Sequence, residues 1–167
     1  MSRFETDMLA ILPRLKRYAR SLSASHADAD DLVQDCLEKA FARRETWRGE
    51  NLQGWLMTIL TNLNRNRLRR AVATPPMVDY DAAGGVEAEH AESDPLARDR
   101  IAAALERLHP DQRAVLMLVV VEGYAYGEVA AMLEIPLGTV MSRLSRARRT
   151  LAAILEGGNI VEFRRNT

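Results

Sequence analysis

The sequence predicts an all-α protein of two small helical domains joined by a flexible acidic linker, and three observations predict it. Apolar residues recur at helical spacing on both sides of the chain's middle. Between them, residues 73–94 lose all periodicity and carry Thr74-Pro75-Pro76, Gly84-Gly85 and Asp94-Pro95 as breakers. Charge falls in the same three blocks: residues 1–72 carry a net +4, residues 73–97 carry −6 and residues 98–167 carry +2, although the whole chain sums to zero. The expected division is three helices over residues 1–72, a linker over 73–94, four helices over 95–156 and a frayed tail over 157–167.

The first helix is expected from Met1 to about Leu22, with Phe4, Met8, Ile11, Leu12 and Leu15 at helical spacing. Pro13 is awkward inside it and suggests a kink or a late start. Ser25-His26-Ala27-Asp28 resembles a capping box with a shorter acid and opens a second helix, about His26 to Arg44. One face of that helix holds Leu32, Val33, Cys36, Leu37 and Ala40. The other holds Asp28, Asp31, Asp35 and Glu38, flanked by Gln34. Such a stripe suits solvent and a basic docking partner equally.

Residues 45–51 read as a polar loop carrying Trp47, Arg48, Gly49 and Asn51. Trp47 is the better candidate there for stacking on an unpaired base. The third helix, about Leu52 to Arg70, places Leu52, Trp55, Leu56, Ile59, Leu60 and Leu63 on a core side. Thr58, Thr61, Asn62, Arg65 and Arg69 line the opposite side, and the tail from Arg65 to Arg70 is basic. That tail suits a helix C-terminus and phosphates alike.

Beyond the linker a helix is expected from near Pro95, with Ile101, Leu105 and Leu108 on one face. His109-Pro110 breaks it, and Pro110 takes the first position of the next helix. Asp111 to Glu122 is apolar through its middle, the expected heart of the second domain, and Gly123 ends it.

Tyr126 to Leu151 then reads as two helices and a turn. Val129, Ala130 and Leu133 give the first its apolar face. Glu134 to Gly138 supply the break, through a proline without a donor and a permissive glycine. At about 100° per residue, Val140, Leu144, Ala147 and Leu151 form a packing seam on the second helix. Ser142, Ser145, Arg146 and Arg149 lie opposite, and Arg143 flanks them beside Thr139. No acid occurs between Leu137 and Leu155, whereas a merely solvated face mixes signs. Arginine forks fit phosphates and guanine edges, so the pattern points to a DNA-reading helix-turn-helix.

Several classes of function are excluded. The single cysteine, Cys36, permits no internal disulfide framework, and on its apolar arc it reads as a packed core thiol. His26, His90 and His109 lie far apart without metal-ligand spacing, so no metal and no cofactor is expected. Clustered catalytic side chains are absent, so the chain does not read as an enzyme. The longest apolar run, Ala114 to Val121, is too short to span a bilayer, and the N-terminus lacks a signal-peptide core. A cytoplasmic protein without membrane insertion is expected.

Three stretches in order carry a family resemblance: Asp30-Asp31-Leu32-Val33-Gln34-Asp35; Gly54-Trp55-Leu56-Met57-Thr58-Ile59; and Leu108-His109-Pro110-Asp111-Gln112-Arg113 with Gly138-Thr139-Val140-Met141-Ser142-Arg143-Leu144. Together they resemble the bacterial RNA polymerase sigma factors of the extracytoplasmic-function (ECF) group, over about residues 8–155. The resemblance implies core RNA polymerase as partner, through its β′ clamp and β flap, together with promoter DNA and an anti-sigma factor. It implies that Asp31, Gln34, Asp35 and Glu38 dock on the clamp. Trp47, Arg48, Asn51, Thr58, Thr61, Asn62, Arg65 and Arg69 would read and melt the −10 element. Thr139, Ser142, Arg143, Ser145, Arg146 and Arg149 would read the −35 element. The linker resembles those that thread the RNA exit path. Fully extended, it reaches about 80 Å, enough for a spacer of about 17 base pairs, or about 58 Å.

Two residues or runs depart from that pattern. Met141 stands where the group often has a basic residue, and Asn64-Arg65-Asn66-Arg67 replaces a more usual acid. A sigma-like decoy that captures an anti-sigma protein without touching promoters is the competing reading. Four retained arginines on the last helix weigh against it.

Overall fold

The computed structural model describes residues 1–73 and 94–165. The expected linker therefore lies outside the described residues, apart from its two ends. Among the described residues there are seven α-helices and no strand. The chain divides into two compact units.

Helix α1 spans Arg3–Leu22 and starts with a capping box: the Ser2 hydroxyl accepts from the Glu5 amide, and the Glu5 carboxylate accepts from the Ser2 amide. The helix runs through Pro13 without ending. Pro13 and Leu9 are both exposed, so the carbonyl that the proline cannot serve lies toward water. Helix α2 spans His26–Ala42, and the Ser25 hydroxyl caps it by accepting from the Asp28 amide at 3.1 Å. A short 3-10 turn, Arg44–Thr46, leads into the polar loop. Helix α3 spans Leu52–Ala73.

These three helices pack on one another around Leu15, Tyr18, Leu32, Cys36, Leu56, Met57 and Leu60, all essentially inaccessible to water. Two hydrogen bonds cross this aliphatic core. The Tyr18 and Thr61 hydroxyls lie 2.8 Å apart, and Thr61 also donates to the Met57 carbonyl at 2.7 Å. The Cys36 thiol points at the Leu56 carbonyl, 3.5 Å away. Burial pushes that thiol up to about 12, with Lys39 drawing it slightly back, so Cys36 is the packed core residue its spacing predicts.

In the second unit, Asp94 caps helix α4 (Pro95–Glu106) with Pro95 at its first position. The buried face of α4 differs from the expected one. Ala104 is buried and Leu105 half-buried, while Ile101 is exposed, and Leu108 is buried just past the helix end. His109 caps α5 (Pro110–Leu116), its Nδ1 accepting from the Asp111 amide at 3.2 Å.

The chain then makes a π-helical turn over Met117–Val121, where the Glu122 amide reaches the Met117 carbonyl at 3.0 Å. This turn splits the expected apolar heart. Ala114 to Leu118 are buried, and Val120 and Val121 are exposed. Gly123, at φ +76°, ends it as expected.

Helix α6 spans Tyr126–Leu133 and helix α7 spans Leu137–Arg165. The bend between them comes from Glu134, in the left-handed region at φ +53°, and not from Gly138, which already lies inside α7. The Pro136 carbonyl accepts from the Thr139 and Val140 amides and so starts α7. The tail expected to fray after Gly157 is helical as far as Arg165.

Candidate nucleic-acid interface

Helix α7 packs on α5 and α4 through Val140, Leu144 and Ala147, all buried, with Leu151 half-buried. That seam turns Ser142, Ser145, Arg146, Arg148 and Arg149 outward, and all five are exposed. The three arginines make no ion pair among the described residues. Arg143 differs. It is half-buried, and its Nη2 lies 3.8 Å from the Asp111 carboxylate on α5. Thr139 is half-buried too, its carbonyl accepting from the Ser142 hydroxyl at 3.2 Å. Of the six residues expected on the DNA face, four stand clear, and two lie at its edge.

The loop between α2 and α3 is more tightly built than its composition implies. Gly49 and Asn51 both take left-handed backbone, at φ +85° and +43°. Asn51 Oδ1 accepts from the Gly54 amide at 3.0 Å, capping α3, and a Cβ at Gly54 would collide with that amide group. Trp47 is half-buried. Its ring lies 5.6 Å from Phe4 in a tilted pair, and its Nε1 donates to the Glu50 carbonyl at 2.8 Å. Phe4 also meets Phe41 and Trp55, at 5.9 and 6.4 Å. Trp47 thus packs within an aromatic cluster, whereas the sequence suggests a free loop ring. An open cleft beside it is lined by Arg3, Asp7, Asn51 and Gln53 among others.

Along α3, Asn62 and Arg69 are exposed, Thr58 and Arg65 half-buried, and Arg48 is exposed in the loop. Thr58 donates to the Gly54 carbonyl at 2.8 Å. Thr61 is the correction. It is 1% exposed and belongs to the core with Tyr18, because the buried arc of α3 is centred on Met57, Leu60 and Asn64 and takes in a polar pair.

On α2, Asp31, Gln34, Asp35 and Glu38 are all exposed on one face, as expected. Gln34 Nε2 donates to Glu38 at 3.2 Å, and Asp35 pairs with Arg67 of α3. Among the described residues no group of side chains can hold a metal ion, and no helix is long and apolar enough to cross a membrane.

An acid-striped helix, a capped aromatic loop and an arginine-faced second helix of a helix-turn-helix occur here in one order. Models of sigma-70 region 2 and sigma-70 region 4 match residues 8–74 and 98–151 respectively. The chain is 38% identical over 150 residues to the ECF RNA polymerase sigma factor EcfG of Rhodopseudomonas palustris (strain TIE-1), covering 89% of this chain and 83% of the relative. The chain belongs to the ECF RNA polymerase sigma factors.

Solved structures share the fold. The sigma factor RpoE of Bartonella quintana, determined with the anti-sigma factor NepR, superposes with a TM-score of 0.77 at 33% identity, over 93% of this chain and 98% of that one. CnrH, determined with the cytosolic domain of CnrY, gives 0.67 at 27% identity, over 92% and 88%. The region 2 match runs from within α1 through α3, and the region 4 match runs from α4 into α7. Sigma factors are non-enzymatic initiation factors of RNA polymerase, which is the role of this chain.

Proposed function

We propose that this ECF sigma factor docks on core RNA polymerase through Asp31, Gln34, Asp35 and Glu38. In that complex it reads a −35 element with α7 and opens a −10 element with the Trp47–Asn51 loop and α3. The observation that carries the reading is the outer face of α7. Ser142, Ser145, Arg146 and Arg149 are held outward by a buried seam, and no acid occurs from Leu137 to Leu155. A decoy that only binds an anti-sigma protein has no use for that face.

The reading extends to control by an anti-sigma factor and to promoters of a stress regulon. The support is the likeness to RpoE, determined with the anti-sigma factor NepR, and to the ECF group as a whole.

In vitro transcription with core polymerase on genomic fragments tests the core of the reading. Discrete starts that depend on the added chain, and that weaken with Arg146→Ala and Arg149→Ala, are the expected result. Core polymerase that initiates no differently with the chain than without it would overturn the reading. Each arginine is worth about 1–3 kcal/mol if it reads a base. If it touches only phosphate, the loss is similar on all sequences and the salt dependence becomes shallower.

A further inference from the structure

The exposed surface of α7 is not wholly polar along the flank between its buried seam and its arginine face. Leu137 and Met141 are 50% and 51% exposed, four residues apart and so one above the other on the helix. Counting 100° per residue, Ser145 follows one turn on, Arg148 lies in line with Met141 two turns further along, and Arg149 lies on the neighbouring strip toward Ser142. Single exposed apolar residues are ordinary on protein surfaces, so exposure alone decides nothing. Position decides more. Met141 is the fifth residue of the second helix of a helix-turn-helix, and the N-terminal turns of that helix are the ones that meet base edges.

Base edges in the major groove offer two kinds of counterpart. Acceptors and donors on purines and cytosine call for polar or charged side chains, and the C5-methyl group of thymine calls for an apolar one. A thioether has no hydrogen to donate and is a weak acceptor, so Met141 discriminates poorly among polar edges. It is also unbranched and polarizable, able to settle against a methyl group without a demanding geometry. Arginines on the same helix can hold it to phosphates whatever the sequence.

We infer that Met141, with Leu137 one turn before it, reads thymine through its C5-methyl group in the element bound by α7. The inference rests on the DNA-reading role proposed for that helix. It assigns a base preference to one position, and a contact that releases no counterions.

The test uses the full chain in holoenzyme with core polymerase. A duplex is first selected from a library randomised across the upstream element. Each thymine on either strand is then replaced singly by deoxyuridine, which removes the methyl group and keeps the pairing. Wild-type holoenzyme is expected to lose about three- to fourfold in affinity at one or two positions, the worth of one methyl group taken out of water. Met141→Ala is expected to be indifferent to that replacement at one of them, while Met141→Leu keeps the sensitivity. Melting temperatures of both variants should match wild type, since the side chain is exposed. A wild-type holoenzyme with no uracil-sensitive position overturns the inference, as does a Met141→Ala holoenzyme with undiminished sensitivity. If holoenzyme selects no upstream sequence at all, the DNA-reading role of α7 falls, and this inference with it.

Discussion

Arg67, near the end of α3, donates to the carboxylate of Asp35 on α2 and ties the acidic stripe to the neighbouring helix. Both side chains keep contact with water, so the pair is worth no more than about 1 kcal/mol. It nevertheless divides the stripe. Asp35 has a partner inside the fold, whereas Asp31, one turn earlier, is exposed without one among the described residues.

The two acids should therefore respond differently to charge reversal. Asp31→Arg is expected to keep the wild-type melting temperature and to lose co-purification with core polymerase, because like charges then face a basic partner. Asp35→Arg should lose co-purification as well, and also lose up to about 1 kcal/mol of stability, since it sets two cations against each other. Normal holoenzyme assembly by the Asp31→Arg chain would show that the stripe is not the polymerase surface.

Thr61 is expected to be a stability residue. Thr61→Val removes the Tyr18–Thr61 hydrogen bond and one to the Met57 carbonyl, at a cost of about 1 kcal/mol each. Chemical denaturation should show the loss, while promoter opening at a temperature where the variant stays folded should be unchanged. Opening that fails with stability intact would return Thr61 to the DNA face.

Trp47 and Phe4 should behave as a pair. Trp47→Ala is expected to reduce promoter melting in permanganate footprints while leaving duplex binding nearly intact. Phe4→Ala, which removes the ring that Trp47 packs against, should reduce melting in the same direction by loosening the loop. An aromatic pair of this kind is worth about 0.5–1.5 kcal/mol beyond its buried area. Wild-type melting in the Trp47→Ala complex removes the loop from strand opening.

Cys36 sets a pH dependence. The folded thiol is held above its ordinary value of 9.0, up to about 12, by burial. An unfolded chain gives up this proton near pH 9 and the folded chain keeps it, so the contribution is full below pH 9 and falls as pH rises from there toward 12. One such group lowers stability by about 1.4 kcal/mol per pH unit within that window. Denaturation curves between pH 8 and 10.5 should fall more steeply for wild type than for Cys36→Ala. Parallel curves would mean that the thiol does not keep its proton.

Much of this was legible in the sequence because helical periodicity reports burial directly. Val140, Leu144 and Ala147 are buried as their spacing predicts, and so are Leu32, Val33 and Cys36. What periodicity misses is a polar residue that finds its partner inside. Thr61 counts as hydrophilic until Tyr18 is brought across from α1, a contact between residues 43 apart in the chain. Ion pairs between helices escape for the same reason, as Arg143 with Asp111 and Asp35 with Arg67 show. Trp47 reads as available because its loop is polar, and its packing against Phe4 of α1 and its hydrogen bond to Glu50 show otherwise. The break falls within Glu134 to Gly138 as the sequence predicts, and the left-handed residue in it is Glu134, which its residue type does not announce.

The π turn at Met117–Val121 acts on everything after it as a change of phase. An α-helix advances about 100° for each residue, and a π turn fits one residue more into a turn of its helix. Converting those five residues to regular helix at constant length would leave the composition untouched and yet re-aim the chain leaving Val121 by about a quarter turn, and with it the start of α6. Deleting one residue at the same time would cancel that rotation, because the π turn already absorbs the extra residue. A sequence comparison that scored only residue types would rank the two events the other way round. In angular terms the deletion is the smaller change.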